Sequence, residues 1–334
     1  MRAASSRLQW ASMFKILLTD ELAHDAEQRL AAGSEIVRAP ARDERTLCAL
    51  IGDCDALVAR TSTRVTRAVL TAGRRLRVIG VAGVGVDRVD TDAAGELGIQ
   101  VLNTPAASTD AVADFAVAFM LQLLRPIPRL DEHYRRGQFH EARDVPHGAE
   151  LGTLIIGIVG MGRIGSAVGR RCAAGFGARV LYNDIVDVGP FDFPAEPVDK
   201  PELWARSDIV TLHVPLTDQT RELMCADVLS RLQPHALLIN TARGAVVDTE
   251  ALADVLQSER LGGAALDVLD PEPLPADHRL FTCPRCILTP HVAARTRGGL
   301  HRMNAVVDDV LAFLRGQGDV NPAKADAESR RGTS

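Results

Sequence analysis

The run LIIGIVGMGRIG, residues 154–165, limits what this chain can fold into more than any other stretch. Its apolar first half reads as a buried strand, and RIGSAVGRRCAAG from residue 163 has the spacing of a helix. Between them Gly160, Gly162 and Gly165 fall in the pattern G-x-G-x-x-G. Glycine at the first position permits a tight turn, and at the second it lets another group approach the bare backbone. At the third it lets the helix pack close to the strand. The first helical turn then carries N–H groups with no partner in the helix, which attract a phosphate. Glycine-rich turns are common, and it is the strand before and the helix after that make this one specific. The stretch predicts a βα unit of a parallel sheet that cradles a pyrophosphate.

The next apolar run, ARVLYND, ends in Asp184, about 20 residues beyond the third glycine, where a dinucleotide-binding unit carries its acid. A carboxylate there accepts hydrogen bonds from both adenine-ribose hydroxyls. It would repel an added 2′-phosphate by up to a few kcal/mol at an effective dielectric near ~20. The expected cofactor is therefore NAD rather than NADP.

The same alternation of short apolar runs and helical patterns fills most of the chain, which predicts an α/β protein with parallel sheets. KILLTD, ALVAR, RVIGVAG and IQVLNT read as strands of a first series, with helices in ELAHDAEQRLAAG and STRVTRAVLTAG. GTLIIGIVG, ARVLYND, DIVTLHV, ALLIN, GGAALDV and CILTPH form a second. Between the series, TDAVADFAVAFMLQLLR offers Thr109 or Asp110 as a cap and is apolar on several faces. Such a helix is buried, between domains or between subunits. One helix from Thr296 to Leu314 follows the last strand and is expected to return to the first domain. The domains are thus residues 14–108 with 295–320, and residues 109–294, with loose tails over 1–12 and 321–334.

Composition excludes several classes of function. The formal net charge of −5 argues against nucleic acid as a partner. No window approaches the ~18 apolar residues of a membrane span, and residues 1–12 lack the apolar core of a secretory signal. Met13 reads as the start of the folded part. Six cysteines in 334 residues make no disulfide framework, which points to a reducing cytoplasm. Cys283 and Cys286 form one C-x-x-C with no second pair nearby, so no metal site is expected.

Three later strand ends carry polar residues. Arg243 follows ALLIN, Asp267 and Glu272 follow GGAAL, and His291 follows CILTP. In a doubly wound sheet the carboxyl ends of the strands face one crevice, so these side chains can converge. Each has a plainer role open to it: Arg243 in an ion pair with Asp248, Asp267 as a cap, Glu272 in a solvated turn, His291 as a loop residue. Their joint placement favours chemistry.

GMGRIG, HVPLTDQT, NTARGAVVDTEAL, ALDVLDPEP and TPHVAART resemble the signatures of the NAD-dependent D-2-hydroxyacid dehydrogenases. The likeness is strongest to short, D-3-phosphoglycerate dehydrogenase-like members. VAGVGVDRVD and NTPAASTDAVADFAVAFML carry it into the first domain, so it spans most of residues 14–316. It implies a flavodoxin-like substrate domain and a Rossmann NAD domain, with the active site in the cleft between them.

The resemblance also implies roles. Arg243 would bind the substrate's carboxylate and carbonyl oxygen, His291 would be the acid in reduction and the base in oxidation, and Glu272 would bond the far side of the imidazole. Val84 and Gly85 would hold the substrate carboxylate, with help from Arg60. Arg163 and Ile164 would flank the pyrophosphate. His213, Val214 and Pro215, with Thr241 and Ala242, would line the cofactor, and Asp267 would take the nicotinamide amide. A homodimer pairing through Val112 to Leu124 is implied as well.

Some positions depart from the pattern. Ser108 stands where phosphoglycerate dehydrogenases often carry Asn, and a chain ending at Ser334 has no room for their regulatory domain. Glu272 departs from the Gln of the formate dehydrogenase branch, and Asp184 from the NADPH-preferring glyoxylate and hydroxypyruvate reductases. Arg295 and Arg297 suit a doubly anionic substrate or face solvent, and both readings stay open. The substrate is expected to be a small anionic 2-hydroxy or 2-keto acid, hydroxypyruvate and glyoxylate among them. The rival reading is an NAD(H)-sensing scaffold like the transcriptional corepressors of this fold, which resemble the enzymes at all three catalytic positions.

Overall fold

The structure, a computed structural model, describes residues 14–144 and 148–317. The tails expected over 1–12 and 321–334, and the start expected at Met13, lie outside these. The chain divides into two compact units, Met1–Ser108 with Arg297–Ser334, and Thr109–Thr296.

The first unit alternates β1 (Phe14–Leu18), α1 (His24–Ala31), β2 (Ser34–Arg38), α2 (Glu44–Ile51), β3 (Ala56–Arg60), α3 (Arg67–Ala72), β4 (Val78–Ala82), α4 (Thr91–Glu96) and β5 (Gln100–Asn103). The five strands form one sheet in the order β2-β1-β3-β4-β5, every pair parallel, the flavodoxin-like order. Leu17, Leu57, Ile79 and Val101 alternate into a core against Leu47, Ile51 and Val69 of the helices. β2 has no counterpart in the sequence reading. It lies at the sheet edge with only Ser34 buried, so SEIVR never shows the apolar run of an inner strand.

The second unit begins with α5 (Thr109–Leu124), α6 (Ile127–Arg135) and α7 (Phe139–Arg143). It continues through β6 (Ile155–Val159), α8 (Arg163–Arg170), β7 (Arg179–Asn183), β8 (Glu196–Pro197), α9 (Lys200–Arg206), β9 (Ile209–Leu212), α10 (Ala226–Ser230), β10 (Leu237–Asn240), α11 (Thr249–Gln257), β11 (Gly263–Leu266) and β12 (Cys286–Leu288). Its seven parallel strands run β12-β11-β10-β9-β6-β7-β8. The chain builds outward from β6 through β7 and β8, then crosses to β9 on the other side. The carboxyl ends of β6 and β9 therefore flank the switch point, where open α/β sheets bind their ligands.

α5 packs within this unit. Ala113, Ala116, Phe119, Met120 and Leu123 join the core with Ile156, Ile158, Ile239 and Ala265 of the sheet and Val168 of α8. Burying each large side chain stabilises the unit by roughly 1.5–3 kcal/mol. The face of α5 that carries these residues is covered by its own sheet and α8.

Chain return to the first unit starts at Arg297, where residue 295 was expected. The single helix expected from Thr296 to Leu314 is two, α12 (Arg297–Asn304) and α13 (Val306–Leu314). They part at Ala305, where the tighter bonds Ala305 N–H to Arg302 O and Asp308 N–H to Ala305 O replace the helical pattern. Nothing in the sequence signals the break, since no glycine or proline stands there. Val306 and Val310 of α13 close over Gly80 of β4, where a Cβ would come within 2.5 Å of Val310 Cγ2.

Candidate active site

Gly160 leaves β6 at φ +89°, the left-handed region, and a Cβ there would lie 2.5 Å from the carbonyl oxygen of His213. At Gly165 a Cβ would meet the carbonyl oxygen of Gly160 at 2.1 Å, so only glycine lets α8 sit against the turn. Gly162 caps α8, and Arg163 and Ile164 are its first residues, at the end that offers free N–H groups. Asp184, just past β7, accepts from the N–H of Met161 through Oδ2 at 2.7 Å and from that of Val186 through Oδ1 at 3.3 Å. The acid thus stands against the glycine turn itself, beside the exposed side chain of Ile185.

His213, Val214 and Pro215 follow β9, across the switch point. Thr211 Oγ1 and His213 Nε2 lie 2.9 Å apart, and burial lowers the imidazole's pKa to about 3, so the ring is neutral. Beyond β10, Thr241 and Ala242 are buried, and Thr241 Oγ1 has no hydrogen-bond partner among the described residues. A buried hydroxyl without a partner is costly, and a polar ligand beside it removes the cost. The bare backbone at Gly160, the helix N-terminus and this hydroxyl together fit a dinucleotide.

Arg243 follows directly, its Nη1 donating to Ala242 O at 2.7 Å. Asp248 instead caps α11, accepting from the N–H groups of Glu250 and Ala251. Two strands away, His291 Nδ1 lies 2.9 Å from Glu272 Oε1 and 3.3 Å from Oε2. His291 has φ +55°, a left-handed backbone that costs a non-glycine residue roughly 1–2 kcal/mol. Strain of this kind gathers at functional sites.

Asp267, assigned above to the nicotinamide amide, is 1% exposed and turned into the His291 loop. Its Oδ1 accepts from Thr289 Oγ1 at 2.5 Å and from Val292 N–H at 2.9 Å, and its Oδ2 from Ala293 N–H at 2.8 Å. Asn240, wholly buried at the end of β10, went unnoticed in the sequence, as did Thr289.

In the first unit, Arg60 ends β3 and donates through Nε and Nη2 to Glu21 O at 3.3 and 3.1 Å. Val84 and Gly85 follow β4. Val84 O accepts from Asn103 Nδ2 at 2.6 Å, and among the described residues neither Val84 nor Gly85 donates its main-chain N–H.

The model of the D-isomer-specific 2-hydroxyacid dehydrogenase NAD-binding domain matches residues 117–293. The chain belongs to this family. It is 38% identical over 309 residues to a D-3-phosphoglycerate dehydrogenase of Methanocaldococcus jannaschii, covering 91% of this chain and 58% of that protein. The chain therefore spans little more than half the length of that relative. It is also 38% identical over 272 residues to a glyoxylate reductase of Korarchaeum cryptofilum, covering 80% and 82% of the two. Among solved structures it is similar to the TT0316 protein of Thermus thermophilus, with a TM-score of 0.84 and 37% identity over 92% of this chain and 99% of that one.

The domain that the family model describes binds NAD, the cofactor read from Asp184. Outside the family's motifs the second unit carries the C-x-x-C pair. Burial pushes the Cys286 thiol up to about 12 and raises that of Cys283. No group of three metal-ligating side chains gathers among the described residues. No single described helix is long and apolar enough to cross a membrane.

Proposed function

We propose that this protein is an NAD-dependent dehydrogenase that moves a hydride between nicotinamide and C2 of a small D-2-hydroxy acid or its 2-keto form. The observation that carries the reading is the hydrogen-bonded pair of His291 and Glu272 at the carboxyl end of the same parallel sheet as the glycine cradle. NAD, when bound, supplies or accepts the hydride. The chain's own residues manage charge and protons. Reduction of a 2-keto acid leaves negative charge on the carbonyl oxygen. Arg243 holds that oxygen and the neighbouring carboxylate, and protonated His291 delivers the proton from Nε2. Glu272 on Nδ1 fixes the tautomer and stabilises the imidazolium. In oxidation His291 takes the proton back. Val84 and Gly85 offer N–H groups to the substrate carboxylate, with Arg60 as a further cation.

The test is NADH oxidation with purified protein across glyoxylate, hydroxypyruvate and 3-phosphohydroxypyruvate, ranked by kcat/KM. Turnover with at least one is expected. Normal NADH binding with no turnover on any acid would defeat the reading and favour a sensing scaffold.

Asp184 is the proposed discriminator between cofactors. Asp184→Ser removes a charge that opposes the 2′-phosphate by ~1–3 kcal/mol, so the NADPH-to-NADH ratio of kcat/KM rises on the order of tenfold or more. An unchanged ratio would assign the preference elsewhere.

A homodimer is proposed as well, through a surface that includes the C-terminal end of the helix the sequence suggested. α6 and α7 bury none of their residues, and they expose Ile127, Tyr134 and Phe139. Beside them lies a groove of about 760 Å³, lined by Leu123, Pro126, Arg129, Leu237 and Arg285 among others. A second copy of the chain would cover this apolar surface. Sedimentation at micromolar concentration is expected to give a dimer, and Tyr134→Glu a monomer; a monomeric parent protein would sink the idea.

A further inference from the structure

We propose that Asn240 and Asp267 are a linked pair of positioning residues, each of which folds the turn that presents one catalytic side chain. The inference rests on the roles proposed above for Arg243 and His291. The two residues occupy equivalent places. Asn240 closes β10, and Asp267 directly follows Leu266, which pairs with Asn240 in the parallel ladder. Asn240 is fully buried and Asp267 1% exposed.

Each side chain reaches into a loop that follows a strand: Asn240 into its own. Asn240 Oδ1 accepts from Ala242 N–H at 3.0 Å, and its Nδ2 donates to Arg243 O at 2.9 Å. The amide therefore brackets Thr241 and Ala242 and fixes the direction in which Arg243 leaves the strand. Asp267 works across to the next loop. Its main-chain oxygen accepts from His291 N–H at 2.8 Å, while Oδ1 accepts from Val292 N–H and from Thr289 Oγ1. Those bonds grip the backbone on both sides of His291, the residue in the left-handed conformation. A buried carboxylate is costly unless its lone pairs are filled, and three donors from one loop fill them only when that loop takes this shape. The two devices are joined, since Asp267 N–H donates to Asn240 O at 2.9 Å. Two adjacent strand ends thus set the guanidinium and the imidazole from one hydrogen-bonded frame.

The frame makes a divided prediction. Thr289→Val keeps the side-chain shape and removes the hydroxyl donor to Asp267. It should lower kcat about tenfold while NADH affinity stays within about twofold, and Thr289→Ser should restore kcat. Asn240→Ala should act chiefly on substrate binding, raising the 2-keto acid KM about tenfold with a smaller loss of NADH affinity, because the same amide brackets Thr241 and Ala242. A crystal structure of Thr289→Val should show His291 Nδ1 outside hydrogen-bonding reach of Glu272. An unmoved imidazole, equal kcat in the Val and Ser variants, or a parallel loss of NADH affinity, kcat and Tm in both loops would overturn the proposal. Inactivity of the parent protein on every acid would count against the dehydrogenase reading instead, because the position of the imidazole is read without turnover.

Discussion

Replacing His291 by alanine is expected to lower turnover of the preferred 2-keto acid by ~10²–10⁴-fold, the range over which positioned acid–base groups act. NADH affinity should stay within about twofold, because the residues assigned to the dinucleotide lie on the glycine turn and the neighbouring strand ends. Steady-state kinetics paired with a fluorescence titration of NADH separates the two. The structure sharpens the expectation, because the Glu272 carboxylate stands 2.9 Å from Nδ1. Turnover near the parent rate would remove the acid–base assignment.

Gly160→Ala should affect the opposite step. Its methyl group would meet the His213 carbonyl oxygen at 2.5 Å, at a backbone angle of φ +89° that alanine avoids. The conformational cost and the overpacking each contribute on the order of 1–3 kcal/mol. Together they should weaken NADH binding by ~10²-fold, or shift the β6–α8 turn enough to lower Tm measurably. Tight NADH binding with an unchanged Tm would show that the turn has more slack than these distances allow.

Much of this site was legible in the residues because the chemistry and the local fold make the same demands. GIVGMGRIG has to be a turn between strand and helix, and the structure shows at Gly160 and Gly165 which carbonyl oxygens forbid a side chain. His291 and Glu272 are 19 residues apart in sequence, yet motif likeness paired them and the geometry joins them at Nδ1. Other features left weaker traces. β2 was missed because an edge strand has no need to be apolar, and the α12–α13 break because alanine suits either state. Motif likeness singled out Asp267 without telling that its carboxylate also holds the loop around His291. Asn240 escaped altogether, since a lone amide in an apolar strand becomes meaningful only when its partners are known. α5 illustrates the converse: a helix apolar on several faces must be covered, but the sequence does not say that its own sheet supplies the cover.

The return of the chain to its first unit also orders events during synthesis. By the time Thr296 has left the ribosome, all seven strands of the second sheet are available. The first sheet, made earlier, still lacks the helix that covers Gly80 and inserts Val306, Val307 and Val310 into its core. The half of the protein translated first is therefore the half that must wait, holding one apolar face open until the last residues of α13 emerge.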